Sequence, residues 1–243
     1  MSTGRRSTRA VRPRPVLLAL APAPAGSPAS SIPALADLGG ISLARRLLDT
    51  LAPLSLPAPV VLTAASAAAR MRGALGPEVM VLPVSGGRLA ALAAALPSIH
   101  EDAVMILDAE RALTPSSVIQ EVLAGLDEHT DAVVPVIPLT DSVKAASSGG
   151  LRNVDRSTLA SMQSPRLLRR AILERAVTEA DGSDAEAPDD EILAALDQGA
   201  RVRTVHGSHA GFAVVDRLRL WEAQISLGLP RDTSHRHGLS RRG

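Results

Sequence analysis

Val104-Met105-Ile106-Leu107-Asp108-Ala109-Glu110-Arg111 runs four apolar residues straight into an acid, a small residue, an acid and a base. A short apolar run without alternation is what a strand covered on both faces requires. Four further stretches share that character, Val16–Leu20, Pro59–Thr63, Val79–Leu82 and Ala132–Ile137, and Arg201–Val205 is read as a strand with them. Between them lie helical patterns at Ser42–Leu51, Ala64–Leu75, Arg88–Leu96, Pro115–Glu128, Pro165–Glu179, Asp189–Asp197 and Asp216–Leu227. Strand-helix alternation of this kind predicts a three-layer, Rossmann-like α/β domain around a mostly parallel sheet.

Composition narrows the function. The chain has 243 residues, of which 46% are apolar, enough for one sizeable core. With one Phe, one Trp and no Tyr, that core must rest on Leu, Val, Ile and Ala; Trp221, near Leu218 and Ile225 on a helix face, is expected within it. A net charge of +1 gives no strong field, so no nucleic-acid partner is expected. The absence of Cys excludes disulfides, thiolate metal sites and thiol catalysis. The apolar run Val16–Ala21 is too short to span a membrane or to serve as a signal peptide, so a cytoplasmic protein without a membrane partner is expected.

The domain is expected over 15–228, between basic tails read as disordered at 1–14 and 229–243. Residues 139–163 break the rhythm. They are polar, contain Gly149-Gly150 and are long for a bare connection, so an arm or lid is expected there.

In an open α/β sheet, ligands bind beyond the carboxyl ends of the strands. Asp108 and Arg111 fall at such an end, and Asp141, Ser142 and Lys144 follow the strand Ala132–Ile137 in the same sense. An Asp and a cation at two strand ends suggest an anion-binding cleft, in which the Asp could hold a sugar hydroxyl or a hydrated Mg²⁺. His206-Gly207-Ser208-His209 offers two imidazoles without a third ligand and is read as a loop, and Asp189-Asp190-Glu191 as the stabilised start of a helix.

Several segments resemble one family. Leu107-Asp108-Ala109-Glu110-Arg111 resembles the His-Asp-Ala-Ala-Arg-Pro motif of the 2-C-methyl-D-erythritol 4-phosphate cytidylyltransferases. Val136 to Lys144 is similar to that family's Pro-Val-x-Asp-Thr-Ile-Lys segment, and Val154-Asp155-Arg156 through Gln163-Ser164-Pro165 to its Val-x-Arg…Gln-Thr-Pro-Gln segment. Asp189-Asp190 is similar to its Thr-Asp-Asp, Ser85-Gly86-Gly87-Arg88 to its Gly-Gly-x-x-Arg, and Leu38-Gly39-Gly40 to its Leu-Gly-Gly. The resemblance runs from about residue 35 to 225. It implies a nucleotidyltransferase fold and transfer of CMP from CTP to methylerythritol phosphate, with Mg²⁺ as cofactor. It also implies a homodimer through an arm at 139–163. Carried over residue by residue, Asp108, Arg111 and Lys144 would be catalytic, with Asp108 also toward the metal. Asp141, Ser142 and Arg156 would bind the phosphate-ester substrate, and Gly86, Gly87 and Arg88 the nucleotide.

The departures from the pattern lie chiefly on the nucleotide side. Where the family has Ala-Ala-Gly-x-Gly-x-Arg-Met-Gly, this chain reads Ala21-Pro22-Ala23-Pro24-Ala25-Gly26-Ser27-Pro28. Three prolines remove three N–H donors, and a single glycine cannot form the usual phosphate cradle. The family's Lys falls at Ile32, Pro33 or Ala34, a second Lys at Ala213 and a Ser at Ala91; Leu107 replaces a His and Glu110 an Ala. Arg70-Met71-Arg72-Gly73 resembles the missing Arg-Met-Gly but belongs to a helical pattern. Losing one preorganised stabiliser of developing charge costs ~10²–10³ in rate, so impaired transfer is expected. Two alternatives remain open: a non-catalytic homologue acting as a dimeric scaffold or regulatory partner, and a nucleotidyltransferase for another phosphate ester.

Overall fold

The computed structural model describes residues 11–29, 31–140, 142–147, 150–180 and 189–229. In chain order the strands are β1 (Arg14–Ala19), β2 (Val60–Ala64), β3 (Met80–Val84), β4 (Ala103–Asp108), β5 (Ala132–Pro138), β6 (Val143–Ser147), β7 (Gly150–Val154), β8 (Ala160–Met162), β9 (Arg166–Arg169) and β10 (Val202–His206). The helices are α1 (Leu43–Leu51), α2 (Ala65–Leu75), α3 (Arg88–Ala95), α4 (Ser116–Gly125), α5 (Arg170–Ala180), α6 (Glu191–Asp197) and α7 (Arg217–Ser226). The main sheet runs β10-β5-β9-β4-β1-β2-β3, with β8 on β5. The pairs β1–β2, β1–β4, β2–β3 and β5–β10 are parallel, whereas β9 is antiparallel to both β4 and β5.

The central strands β1, β2, β4 and β5 are apolar because each feeds two cores. Leu17, Met105, Leu107 and Val133 point to one face, where Leu47 and Leu51 of α1, Met71 and Leu75 of α2, and Ile119 and Val122 of α4 cover them. Their neighbours Val16, Leu18, Val104, Ile106 and Val134 point to the other face, under Leu92 of α3, Leu173 and Val177 of α5, and Ile192 of α6. Successive strand residues alternate faces, so a run with both faces covered has no polar position. Each such aliphatic side chain contributes about 1.5–3 kcal/mol by its burial.

Three expectations need correction. The pattern read as one helix from Pro165 begins as a strand: Leu167 joins the first core and Leu168 the second. Adjacent leucines can reach opposite faces of a sheet only from an extended backbone, and four residues are too few to reveal that period. Trp221 is not core. It is 40% exposed, with Leu218 at 69% and Ile225 at 58%. Helix α7 instead turns Leu220, Ala223 and Gln224 inward, seating Ala223 against Leu38, Leu43 and Val214. The helix carries two apolar stripes, and the smaller one is buried. The break at 139–163 is also not wholly an excursion. Strands β6 and β7 pair with each other as a hairpin, while β8 rejoins the main sheet on β5.

Arg14 opens β1 and pairs with Glu101 at 3.2 Å. The tail assignments at 1–10 and 230–243, and Asp141, lie outside the described residues. Among the described residues no helix is long and apolar enough to cross a membrane.

Candidate functional site

Parallel pairing of β1 with β2 and β4 brings the carboxyl ends of three strands to one edge, Leu18 lying opposite Asp108 and Leu62. Asp108 is the last residue of β4, and its backbone N–H donates to Ser164 Oγ at 2.9 Å. Across from it is the turn Gly86-Gly87 that opens α3. Gly86 sits at φ +83°, a conformation L side chains rarely adopt. Gly87 has an extended φ but admits no side chain, because a Cβ there would lie 2.1 Å from Asp189 Oδ2. Between these elements is a cleft of about 270 Å³, lined by Leu18, Leu20 and Ala21 of the β1 end, by Gly86, Gly87 and Arg88, and by Asp108, Glu110 and Asp189.

Arg88 bridges the cleft. Its Nη1 donates to Asp108 Oδ1 at 2.6 Å, while Nε and Nη2 grip Glu191 Oε2 and Oε1 at 2.5 and 2.8 Å. Glu191 is fully buried at the start of α6 and also accepts from Arg166 Nη1 at 3.2 Å; the same nitrogen reaches Asp190 Oδ2 at 2.7 Å. Burial alone would raise the Glu191 carboxyl, but the Arg88 hydrogen bonds and the charges of Arg88 and Arg166 outweigh it and hold it below its ordinary value. Burial likewise opposes the charge on Arg88, and Glu191 with Asp108 more than restores it, leaving the guanidinium locked in its charged form. Arg111 lies on the far side of Asp108, its Nε 3.7 Å from Oδ2 and its Nη1 donating to the Gly211 carbonyl at 2.8 Å. Its value is lowered by burial, against the pull of Asp108 and Glu110. Glu110 stands apart. Burial first, then the neighbouring Asp108 charge, push its carboxyl up to about 7, and its Oε2 is buried without a hydrogen-bond partner.

The expected residues therefore divide. Asp108, Gly86, Gly87 and Arg88 line one cleft, and Arg111 meets Asp108 without lining it. Ser142, Lys144 and Arg156 are exposed on the arm, where Lys144 donates to Asn153 Oδ1 and Arg156 Nη1 donates to the Thr140 carbonyl at 2.6 Å. The turn expected to face a nucleotide is occupied by protein: Asp189 Oδ2 accepts from Arg88 N at 2.5 Å and Oδ1 from Leu89 N at 2.7 Å. This carboxylate takes backbone donors that a phosphate would otherwise use at a helix start. Of the three acids read together as a helix start, Asp190 does cap α6, accepting from Ile192 N and Leu193 N. Asp189 caps a different helix, and Glu191 anchors two arginines.

Mg²⁺ does not fit on Asp108 as it stands. Both carboxylate oxygens face guanidinium groups, and no cluster of three His, Asp or Glu side chains suited to a metal occurs among the described residues. Sequence reasoning also missed Arg166 and Glu191. Arg166 was hidden in a segment that looked helical. Glu191 carries no local mark of depth, because an acid in a first helical turn is ordinarily solvated.

A three-layer, mostly parallel α/β fold with a polar cleft beyond its carboxyl edge is the arrangement in which open α/β proteins bind their ligands. The profile of the 2-C-methyl-D-erythritol 4-phosphate cytidylyltransferase family matches residues 34–228. The 2-C-methyl-D-erythritol 4-phosphate cytidylyltransferase of Rhodococcus jostii is 33% identical over 192 residues, covering 77% of this chain and 83% of that protein. The bifunctional enzyme IspD/IspF of Clavibacter michiganensis subsp. michiganensis is 33% identical over 205 residues, 79% of this chain; the chain spans about half of that longer relative, 48%. The solved 4-diphosphocytidyl-2C-methyl-D-erythritol synthase of Anaerococcus prevotii superposes with a TM-score of 0.74 over 89% of this chain and 96% of its own, at 15% identity. The chain belongs to the 2-C-methyl-D-erythritol 4-phosphate cytidylyltransferase family.

Proposed function

We propose that this chain carries out, slowly, the reaction for which its family is named: an oxygen of methylerythritol phosphate attacks the α-phosphorus of CTP, and pyrophosphate leaves. One observation carries this reading: Asp108 stands at the carboxyl end of a central strand, facing the glycine turn across a cleft, with Arg111 paired to it at 3.7 Å. We assign Arg111, held by Asp108 and the Gly211 carbonyl, to the acceptor phosphate. The slowness follows from charge. The cleft lining sets one guanidinium, Arg88, against the carboxyls of Asp108, Glu110 and Asp189, a poor environment for a triphosphate. The family's loop cations are replaced by proline and aliphatic residues. With two such stabilisers missing, turnover on the order of 10³–10⁵ below the Rhodococcus relative is expected. Pyrophosphate release from CTP and methylerythritol phosphate with Mg²⁺ supplied, both proteins assayed side by side, tests this. A rate equal to the relative's, or none above an Arg111→Ala control, would refute it.

The carboxylate-rich lining favours a second reading, a non-catalytic homologue that keeps the dimer. Calorimetry separates the two, since binding of CTP at any concentration up to millimolar is required by the first and absent in the second. In either case we infer a homodimer through the 139–163 arm, where Leu151 is 75% exposed on the β6–β7 hairpin, and a cytoplasmic location.

A further inference from the structure

The proline-rich loop after β1 does not close over the cleft. Of its described residues Ala21 lines the cleft, while Pro24, Ser27 and Ser31 help wall a second pocket of about 340 Å³, with Pro24, Ile32, Pro33 and Leu35 set against Val214 and Leu220. This pocket has the composition of a small-molecule site, mostly apolar with a few polar groups at fixed places. Its size admits roughly eleven heavy atoms at the ~30 Å³ that each water occupies in the liquid.

Its charges are the reverse of the cleft's. Two guanidiniums line it, Arg70 from α2 and Arg217 from α7, against one carboxylate, Asp216. Asp216 Oδ1 is already committed, accepting from Arg219 N at 2.8 Å as the cap of α7. Arg70 Nη1 donates to Ser31 Oγ at 3.3 Å, tying α2 to the loop across the pocket wall. Arg217 lies over the Trp221 ring, 4.9 Å from its centroid, so its guanidinium rests on an aromatic face near the pocket. The start of a ten-residue helix adds a partial positive charge on the same side.

We propose that this pocket binds a small amphipathic anion: an apolar body of about six carbons seated between the loop and the segment 214–220, and a single phosphate or carboxylate head held by Arg70 and Arg217. The site shares no lining residue with the cleft.

Trp221, the only tryptophan in the chain, is a built-in reporter. A head group that draws Arg217 off the indole changes its emission. Hexyl phosphate and hexanoate are titrated into the full chain, with hexanol and inorganic phosphate as controls. Saturable emission change is expected with the two amphipathic anions and not with either control, and the tighter of the two names the head group. By calorimetry, Arg217→Gln and Arg70→Gln are each expected to weaken binding roughly tenfold. Arg175→Gln, on the exposed surface of α5 across the sheet, should leave binding unchanged, and Ala36→Leu, which fills the pocket, should abolish it. Unchanged thermal unfolding of each variant guards against loss of fold. Hexanol binding as tightly as hexyl phosphate, a response to inorganic phosphate alone, or a loss shared by Arg175→Gln would overturn the proposal.

Discussion

Glu110 is the residue whose environment least matches its chemistry. Its carboxyl titrates near 7 in the folded chain against an ordinary value of 4.5. Between those values the folded protein holds a proton that the unfolded chain has released. The sign is therefore fixed: the associated stability is fully present below about pH 4.5 and is lost as pH rises through 7. The upper bound is about 3 kcal/mol. Glu110→Gln, which keeps the shape and removes the charge, is expected to raise the unfolding temperature by several degrees at pH 8 and hardly at all at pH 5. Equal temperatures for the two proteins at pH 8 would show that the buried charge costs nothing. The position itself was legible in sequence as an acid where the family has alanine. Its burial was not, because burial depends on Arg111 folding back over Asp108 and on the backbone of Val214 bonding to the Glu110 carbonyl.

At the scale of elements, the central strands revealed themselves as short apolar runs bounded by turn formers. Six of the seven helix starts were placed within a residue or two, and Ser42, Asp190 and Asp216 cap as their types predict; the start of α5 was placed five residues early, just ahead of β9. What stayed hidden was pairing between distant elements. Helix α3 is capped by Asp189, about a hundred residues later, and only the tight fit at Gly87 betrays it. That coupling has a measurable form. Gly87→Ala should expel the Asp189 carboxylate and cost on the order of 1–2 kcal/mol, comparable to loss of a helix cap. Asp189→Ala should cost a similar amount alone, and the double variant little more than either. Additive losses in chemical denaturation would mean that the two positions act separately.

For the whole molecule, the arm is the feature that stands outside the sheet. Its hairpin pairs with itself, and a leucine exposed to three-quarters of its area has no covering residue in its own strand pair. In the inferred dimer that side chain is buried. Leu151→Asp is therefore expected to shift the mass measured by light scattering from dimer to monomer while leaving the unfolding transition of the core in place. A persistent dimer would move the interface elsewhere. The order of strands has another consequence, for how the chain is made. Strands β4 and β5 follow each other in sequence but are not neighbours; β9 lies between them, antiparallel to both. As the polypeptide leaves the ribosome, β1 to β4 can assemble at once, whereas β5 must wait with an open edge until residues 166–169 have emerged behind the arm. Closing that seam is a non-local step, intrinsically slow and open to wrong partners. The four residues that looked like the start of a helix are thus the seam that joins the two halves of the sheet, and a nascent chain stalled before residue 166 is expected to be cut by protease more readily than one stalled after β10.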